Sequence, residues 1–374
     1  MKFICLLPLI LLSVSLSGQA QVKNLSLPQE GDAVLFFVDQ LPASIDPGKA
    51  GSAQRWNFMT LLSPFIRRSV YTNSETTGLQ SVFKESDLSR KIDEGTDAFY
   101  LKEDGDLLLA GFAGMDPFGL GVRNIYAYDK PLVEQRQNVQ FGDGSNTKTS
   151  MTTTFTLNDL PNKIRQLLPV TPDSIRLKMT TQRIDEVDAW GNMLMPGGFF
   201  DVLREKRSEA RNLRIETKIG SLPWQDITNT LPANDIFGNH VFLSYYFYAE
   251  EFNEALVKIF MKADNKGVDK VIYRANIVDQ PIQDVGAIRP GVYAFPNPAI
   301  VNARFEFTSL PPDRYRLSIK NVLSEEIWAE EFYIQGNDLK KVDVSFLAKG
   351  TYLYSLTNSK GKILSTKRLV IIRP

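Results

Sequence analysis

Val292-Tyr293-Ala294-Phe295-Pro296-Asn297-Pro298-Ala299 opens the last part of a 374-residue chain. Two prolines around one asparagine fix φ near about −65° and remove two backbone donors, which suits an extended lead-in at a sheet edge. Period-two alternation follows in Ala303-Arg304-Phe305-Glu306-Phe307, in Tyr315-Arg316-Leu317-Ser318-Ile319 and partly in 327–332. It returns in Val342-Asp343-Val344-Ser345-Phe346, in 351–356 and in 367–372. Turn residues separate most of these runs: Pro311-Pro312-Asp313, Gly336-Asn337-Asp338, Lys349-Gly350 and Ser359-Lys360-Gly361. The pattern predicts roughly six or seven short strands in a small antiparallel, immunoglobulin-like sandwich.

Several motifs stand here in a fixed order. Pro296-Asn297-Pro298-Ala299 comes first, then a Tyr-x-Leu-x-Ile strand from Tyr315. Leu347-Ala348-Lys349-Gly350-Thr351-Tyr352 follows, and Lys367-Arg368-Leu369-Val370-Ile371 closes the series. Over nearly all of 291–374 this resembles the type A sorting domain of the type IX secretion system. Leu323-Ser324-Glu325 departs from the family, which usually has a glycine in that turn. The resemblance implies a folded cargo carried through the periplasm and the outer membrane by the type IX translocon and sorting machinery. The sorting domain is then usually cut off, and the cargo is released or joined to a surface lipopolysaccharide. It also marks Pro296, Asn297, Pro298, Gly350, Tyr352 and Lys367 as the sorting motif. From Lys349 onward the chain has Lys360, Lys362, Lys367, Arg368 and Arg373 and no acid. Such a strand end can meet an acidic partner surface or simply discourage edge pairing.

The other end of the chain agrees with export. Met1-Lys2-Phe3 precedes an apolar run to Leu16 and then Ser17-Gly18-Gln19-Ala20. This predicts a signal peptide over 1–20, cut between Ala20 and Gln21. The run is too short for a stable anchor, and no later stretch is long and apolar enough, so no transmembrane segment is expected in the mature chain. The single cysteine, Cys5, lies in that run. The mature chain therefore has no disulfide, no thiol nucleophile and no cysteine metal ligand to offer. With 43 basic and 43 acidic residues there is no electrostatic footprint for nucleic acid.

Between these ends, 21–280 reads as a β-rich cargo region shaped as a large antiparallel β-sandwich. A linker over 281–290 carries Pro281, Gly286 and Pro290. The whole chain is thus expected to be all-β. Gln54-Arg55-Trp56-Asn57-Phe58 puts Trp56 and Phe58 on one face, as core residues rather than a sugar-stacking platform. Glu103-Asp104-Gly105-Asp106 between two apolar runs is a hairpin turn, not a calcium loop. Asn158–Leu168 has helical spacing, with Asn158 as cap, and should form about three turns or less. Asp188-Ala189-Trp190-Gly191-Asn192 reads as a turn that Asp188 caps, with glycines at positive φ. The Gln-x-Trp-Asn-Phe run, and Asp188 through the Pro196-Gly197-Gly198 break to Val202-Leu203-Arg204, resemble uncharacterised cargo proteins that bear the same sorting domain.

Chemistry is constrained further by a single histidine, His240. A Ser-His-Asp triad would have to pass through it, yet it opens a strand and no nucleophile elbow is present. Multi-histidine zinc catalysis fails by count. The expectation is a chain without catalytic residues, bound metal or cofactor. Its cargo would be a non-catalytic binding or adhesion module for a glycan or protein ligand at the cell surface. Tyr245, Tyr246 and Tyr248 are the candidate binding aromatics, since not all three can face inward, although strand-favouring surface positions explain them equally simply. The alternative is a histidine-independent polysaccharide hydrolase built on a carboxylate pair.

Overall fold

The computed structural model describes residues 22–93, 95–118, 120–231, 236–274, 282–285 and 290–373. The expected signal peptide, and the linker residues 281 and 286–289, lie outside them.

Twelve strands form the body of the cargo region. They are β1 (Ala33–Asp39), β2 (Ile66–Asn73), β3 (Leu88–Asp93), β4 (Thr96–Glu103), β5 (Asp106–Met115) and β6 (Arg123–Arg136). β7 (Gly144–Phe155), β8 (Ser174–Met195), β9 (Gly198–Lys218), β10 (Gly238–Tyr248), β11 (Val257–Met261) and β12 (Val268–Arg274) complete them. Each pairs antiparallel with the next in chain order, and β12 returns to β1 through Val271↔Asp39 to Arg274↔Phe36. The result is a closed up-and-down barrel, not the two facing sheets of a sandwich. Only β6 and β7 are joined thinly, through Met151↔Tyr128.

The wall's two faces follow from alternation. Along β8, Ile175, Leu177, Met179, Thr181, Arg183, Asp185 and Val187 are buried. Arg176, Lys178, Thr180, Gln182, Ile184 and Glu186 form the outer row. An even-stranded barrel is also the shape of membrane barrels, but those turn apolar rows outward, and here the outer row of β8 is polar except for Ile184. Among the described residues no helix is long and apolar enough to cross a membrane.

Asp188 is not in a turn. It is the irregular position of one continuous strand, where register shifts between Val187 and Ala189. Beyond it the buried row Ala189, Met193 and Met195 joins a second core outside the barrel wall, with Trp56, Phe58, Phe200, Phe247 and Ile259. The Gly51–Asn57 strand covers this core and runs parallel to Ala189–Leu194. Gly191 therefore serves close approach rather than a positive φ: a Cβ there would sit 2.0 Å from the Gln54 carbonyl oxygen. The true turn lies at Pro196-Gly197, where Gly197 has φ 105°.

The Asp104-Gly105 hairpin forms as expected, with φ 51° and 84°. The three-turn helix does not. Leu157–Asp159 is one 3-10 turn and Asn162–Arg165 one α turn. Pro161 divides them, because it lacks the N–H that would continue the first turn. Asp159 rather than Asn158 closes the start, accepting from the N–H and Oγ1 of Thr156 at 2.8 Å each.

The C-terminal part is a separate five-stranded sheet: β13 (Gly291–Phe295), β14 (Asn302–Lys320), β15 (Glu326–Asp343), β16 (Gly350–Asn358) and β17 (Ile363–Ile371). The predicted turns at Pro311-Pro312-Asp313 and Gly336-Asn337-Asp338 lie inside long strands. They mark register shifts where β14 and β15 bend together. One half of β14 pairs with β13 and the other with β16, so the sheet curls round a core of Phe305, Phe307, Leu317, Ile319, Leu356 and Leu369. The expected set of short strands is thus fewer and longer.

Candidate functional site

The inward rows of β8 and β9 change character halfway along. Leu203, Glu205, Arg207, Glu209 and Arg211 alternate down β9, and Arg183 and Asp185 answer them on β8. Arg207 Nε donates to Asp185 Oδ1 at 2.8 Å and its Nη2 to Glu205 Oε1 at 3.0 Å. Its Nη1 reaches Glu134 Oε2 on β6 at 3.3 Å. Arg183 Nε donates to Glu209 Oε2 at 2.8 Å and its Nη1 to the Val133 carbonyl at 3.0 Å. β6 is not a ladder neighbour of β8 or β9, so these bonds cross the lumen. Further along, Glu254 takes Arg90 and the Tyr71 hydroxyl, the latter at 2.6 Å, with Lys258 Nζ at 3.5 Å.

The network sets its own charges. Burial pushes Glu209 up, but Arg183 and Arg211 overcome it and hold the carboxyl at about 2. Burial likewise works against Glu254, and Arg90 and Lys258 bring it to about 2. At Glu205 burial wins over Arg207, with Asp185 adding to the rise, and the pKa lies above the ordinary value.

The lumen opens where the wall is short. β10 pairs with β9 over Gly238–Tyr248 but with β11 only over Ser244–Phe247. The notch this leaves contains a cavity of about 480 Å³. Arg183, Arg207, Arg211, Lys262 and Lys270 line it, against Glu209 and Asp269. Aromatic rings hold three of the cations: Arg207 lies 4.2 Å from the Tyr246 centroid, Arg211 4.7 Å from Phe242 and Lys270 5.0 Å from Phe260. Phe242 is 44% exposed at the rim.

The candidate tyrosines do not form an exposed cluster. Tyr246 and Tyr248 face the lumen and are buried, while Tyr245 packs against the outer core with Arg204 5.0 Å from its ring. Only Tyr246 lines the notch. The signal for the site was the alternating charge along β9, which looks like an ordinary solvated face until the barrel closes over it. Asp188 holds Arg204 through two bonds of 2.8 and 2.9 Å, and Arg204 staples the Pro47 and Gly48 carbonyls. His240 meets the Phe237 carbonyl at 3.2 Å through Nε2. Among the described residues no group of His, Cys, Asp or Glu is arranged to hold a metal.

In the C-terminal sheet, the asparagine between the two prolines substitutes for backbone. Asn297 Nδ2 donates to the Arg368 carbonyl at 2.7 Å, and its Oδ1 accepts the Val370 N–H at 2.8 Å. Both flanking X-Pro bonds, before Pro296 and Pro298, are cis. Gly350 starts β16, and the Tyr352 hydroxyl two residues on donates to the Ala348 carbonyl at 3.0 Å. The Lys367 ammonium lies 3.1 Å from the Tyr293 ring centroid. Burial lowers its pKa to about 8, and the ring face is the partner that compensates its charge.

Residues 293–372 match the family model of the secretion system C-terminal sorting domain. The sorting domain implies cargo of the type IX system, exported to the cell surface or secreted, and contact with that machinery. No curated protein matches the chain in sequence. Among solved structures it is similar to PorZ, an essential bacterial surface component of the type-IX secretion system of Porphyromonas gingivalis, with TM-score 0.20 and 9% identity. That likeness covers 76% of this chain and 51% of PorZ, so the chain spans about half of that protein's length.

Proposed function

We propose that the barrel is a non-catalytic binding module delivered to the cell surface by its sorting domain, and that the notch takes an acidic glycan. The observation that carries this reading is Arg211, Lys262 and Lys270 beside the Phe242 and Phe260 rings in one open cavity, where Arg183 and Arg207 are already engaged by Glu209, Asp185 and Glu205. Arg211, Lys262 and Lys270 offer donors to a carboxylate or sulfate, and an exposed ring such as Phe242 offers a face to a sugar. The rings also keep the long basic side chains ordered, which reduces the entropy lost on binding. The hydrolase alternative gains no support from this cavity. Its buried acid, Glu209, is held ionised by two guanidiniums, whereas glycoside hydrolysis needs one carboxyl able to donate a proton.

Calorimetry of the intact protein against a uronate polymer, a sulfated polymer and a neutral glucan tests the proposal. Binding to the acidic polymers and not to the glucan is expected, with Arg211→Gln and Lys270→Gln each weakening it about tenfold or more. Preference for the neutral polymer, a protein ligand as the only binder, or reducing ends released from any of them would overturn it.

The sorting route brings its own proposal. The unit left after processing runs from Gln21 to the 281–290 linker, and Pro296, Asn297, Pro298, Gly350, Tyr352 and Lys367 keep the shape that the machinery reads. Mass spectrometry of the native extracellular protein tests the first part. A mature form that still ends at Pro374 would count against it.

A further inference from the structure

The sorting domain is fastened to the barrel by charges exchanged in both directions. Arg304 on β14 reaches across: its Nη1 donates to Asp39 Oδ1 at 2.9 Å and its Nη2 to the Leu41 carbonyl at 2.8 Å. The Asp39 side chain, at 0% exposure, also accepts the backbone N–H groups of Leu41 and Leu62. In the opposite sense Arg67 of the barrel donates to Glu306, whose side chain is 2% exposed. Phe65 meets Tyr293 edge-on at 5.4 Å, and Arg67 lies 4.9 Å from the Phe65 ring centroid. The sorting-motif residue Lys367 stacks on that same Tyr293. The chain between the two bodies takes part, because Ile282–Asp284 pairs in parallel with Ile66–Arg68.

Each body therefore encloses an acid that an arginine of the other body answers. Reciprocal pairs of this kind fix register and orientation, and the rings at Phe65 and Tyr293 supply apolar contact. Burial raises the Glu306 pKa and Arg67 opposes the rise, so without Arg67 the enclosed carboxylate would have no compensation.

We infer that this clasp outlasts the peptide linker. Cutting within 286–289 yields two folded pieces that stay together as a non-covalent complex. The sorting domain leaves only when another interaction displaces it. Processing and release are then two separate events, whatever ligand the notch binds.

The test uses the full chain with a specific protease site substituted into 286–289, followed by gel filtration after cutting. The wild-type halves should co-elute at micromolar concentration. Glu306→Arg should weaken the complex at least a hundredfold and separate them, and adding Arg67→Glu to that chain should bring them back together. Arg67→Gln, which leaves the sorting domain unaltered, should separate them even if the sorting half of Glu306→Arg does not fold. Wild-type halves that part as soon as they are cut would overturn the inference. So would halves that stay joined in the Arg67→Gln protein, or a double exchange that folds, by the melting of each half, and does not rejoin. Glycan binding is not read in any of these outcomes, so failure here leaves the notch proposal standing.

Discussion

The barrel and the sorting domain fill their interiors in opposite ways. The curled sheet closes on apolar side chains such as Phe305, Phe307, Leu317 and Leu356, and its most enclosed acid, Glu306, points at the other body. The barrel places Arg183, Asp185, Glu205, Arg207 and Glu209 across its middle, with apolar clusters above and below. A small sheet can bend until its own side chains meet. A ring of twelve strands encloses more space than aliphatic residues fill, and long charged side chains bridge it. Apolar packing gives stability with little dependence on pH. An ionic interior adds geometric specificity and a cavity, at the cost of sensitivity to charge.

Acid should separate the two most sharply. Glu209 and Glu254 have pKa values depressed from 4.5 to about 2. Their contribution is present above the unfolded value and is lost as pH falls from about 4.5 through about 2. Glu205, raised by burial, titrates in the other sense and does so above that window, so it offsets part of the loss only relative to neutral pH. Calorimetry across that window should show the barrel transition collapsing while the sorting-domain transition holds. If both fall together, the contrast between the interiors fails.

Point changes sharpen it further. Arg207→Leu takes the main cation from Asp185 and leaves Glu205 only Arg136 at 3.7 Å, and should cost about 3–5 kcal/mol, read as a lower barrel transition alone. Leu317→Ala in the sorting domain should cost about 2–5 kcal/mol and move only the other transition. Asn297→Ala removes two hydrogen bonds to β17 and should cost about 1–2 kcal/mol there, measured by chemical denaturation of the sorting domain.

Much of this was legible beforehand. Period-two alternation marked the strands because a half-buried sheet needs it, and Asp104-Gly105 marked its hairpin because both positions need positive φ. Trp56 and Phe58 read as core and are. The helix over 158–168 failed because spacing alone does not reveal that Pro161 interrupts the backbone bonds. The tyrosines of β10 divide in a way composition does not show, because it gives aromatic content and not the face each takes: Tyr246 lines the notch, Tyr248 is buried and Tyr245 packs on the outer core.

The sequence alone determined an all-β chain, an ordered set of sorting motifs at its end and a single cysteine, which can form no disulfide within the chain. Closure was decided by the tertiary structure. Strand pairing between β12 and β1 joins residues more than two hundred positions apart, and alternation is the same for an open sheet, a sandwich or a ring. That closure turned the charged row of β9 inward and left the notch beside β10. Exchange of Arg67 and Arg304 between the two bodies depended on it too, because a salt bridge across a domain boundary has no local signature in either segment.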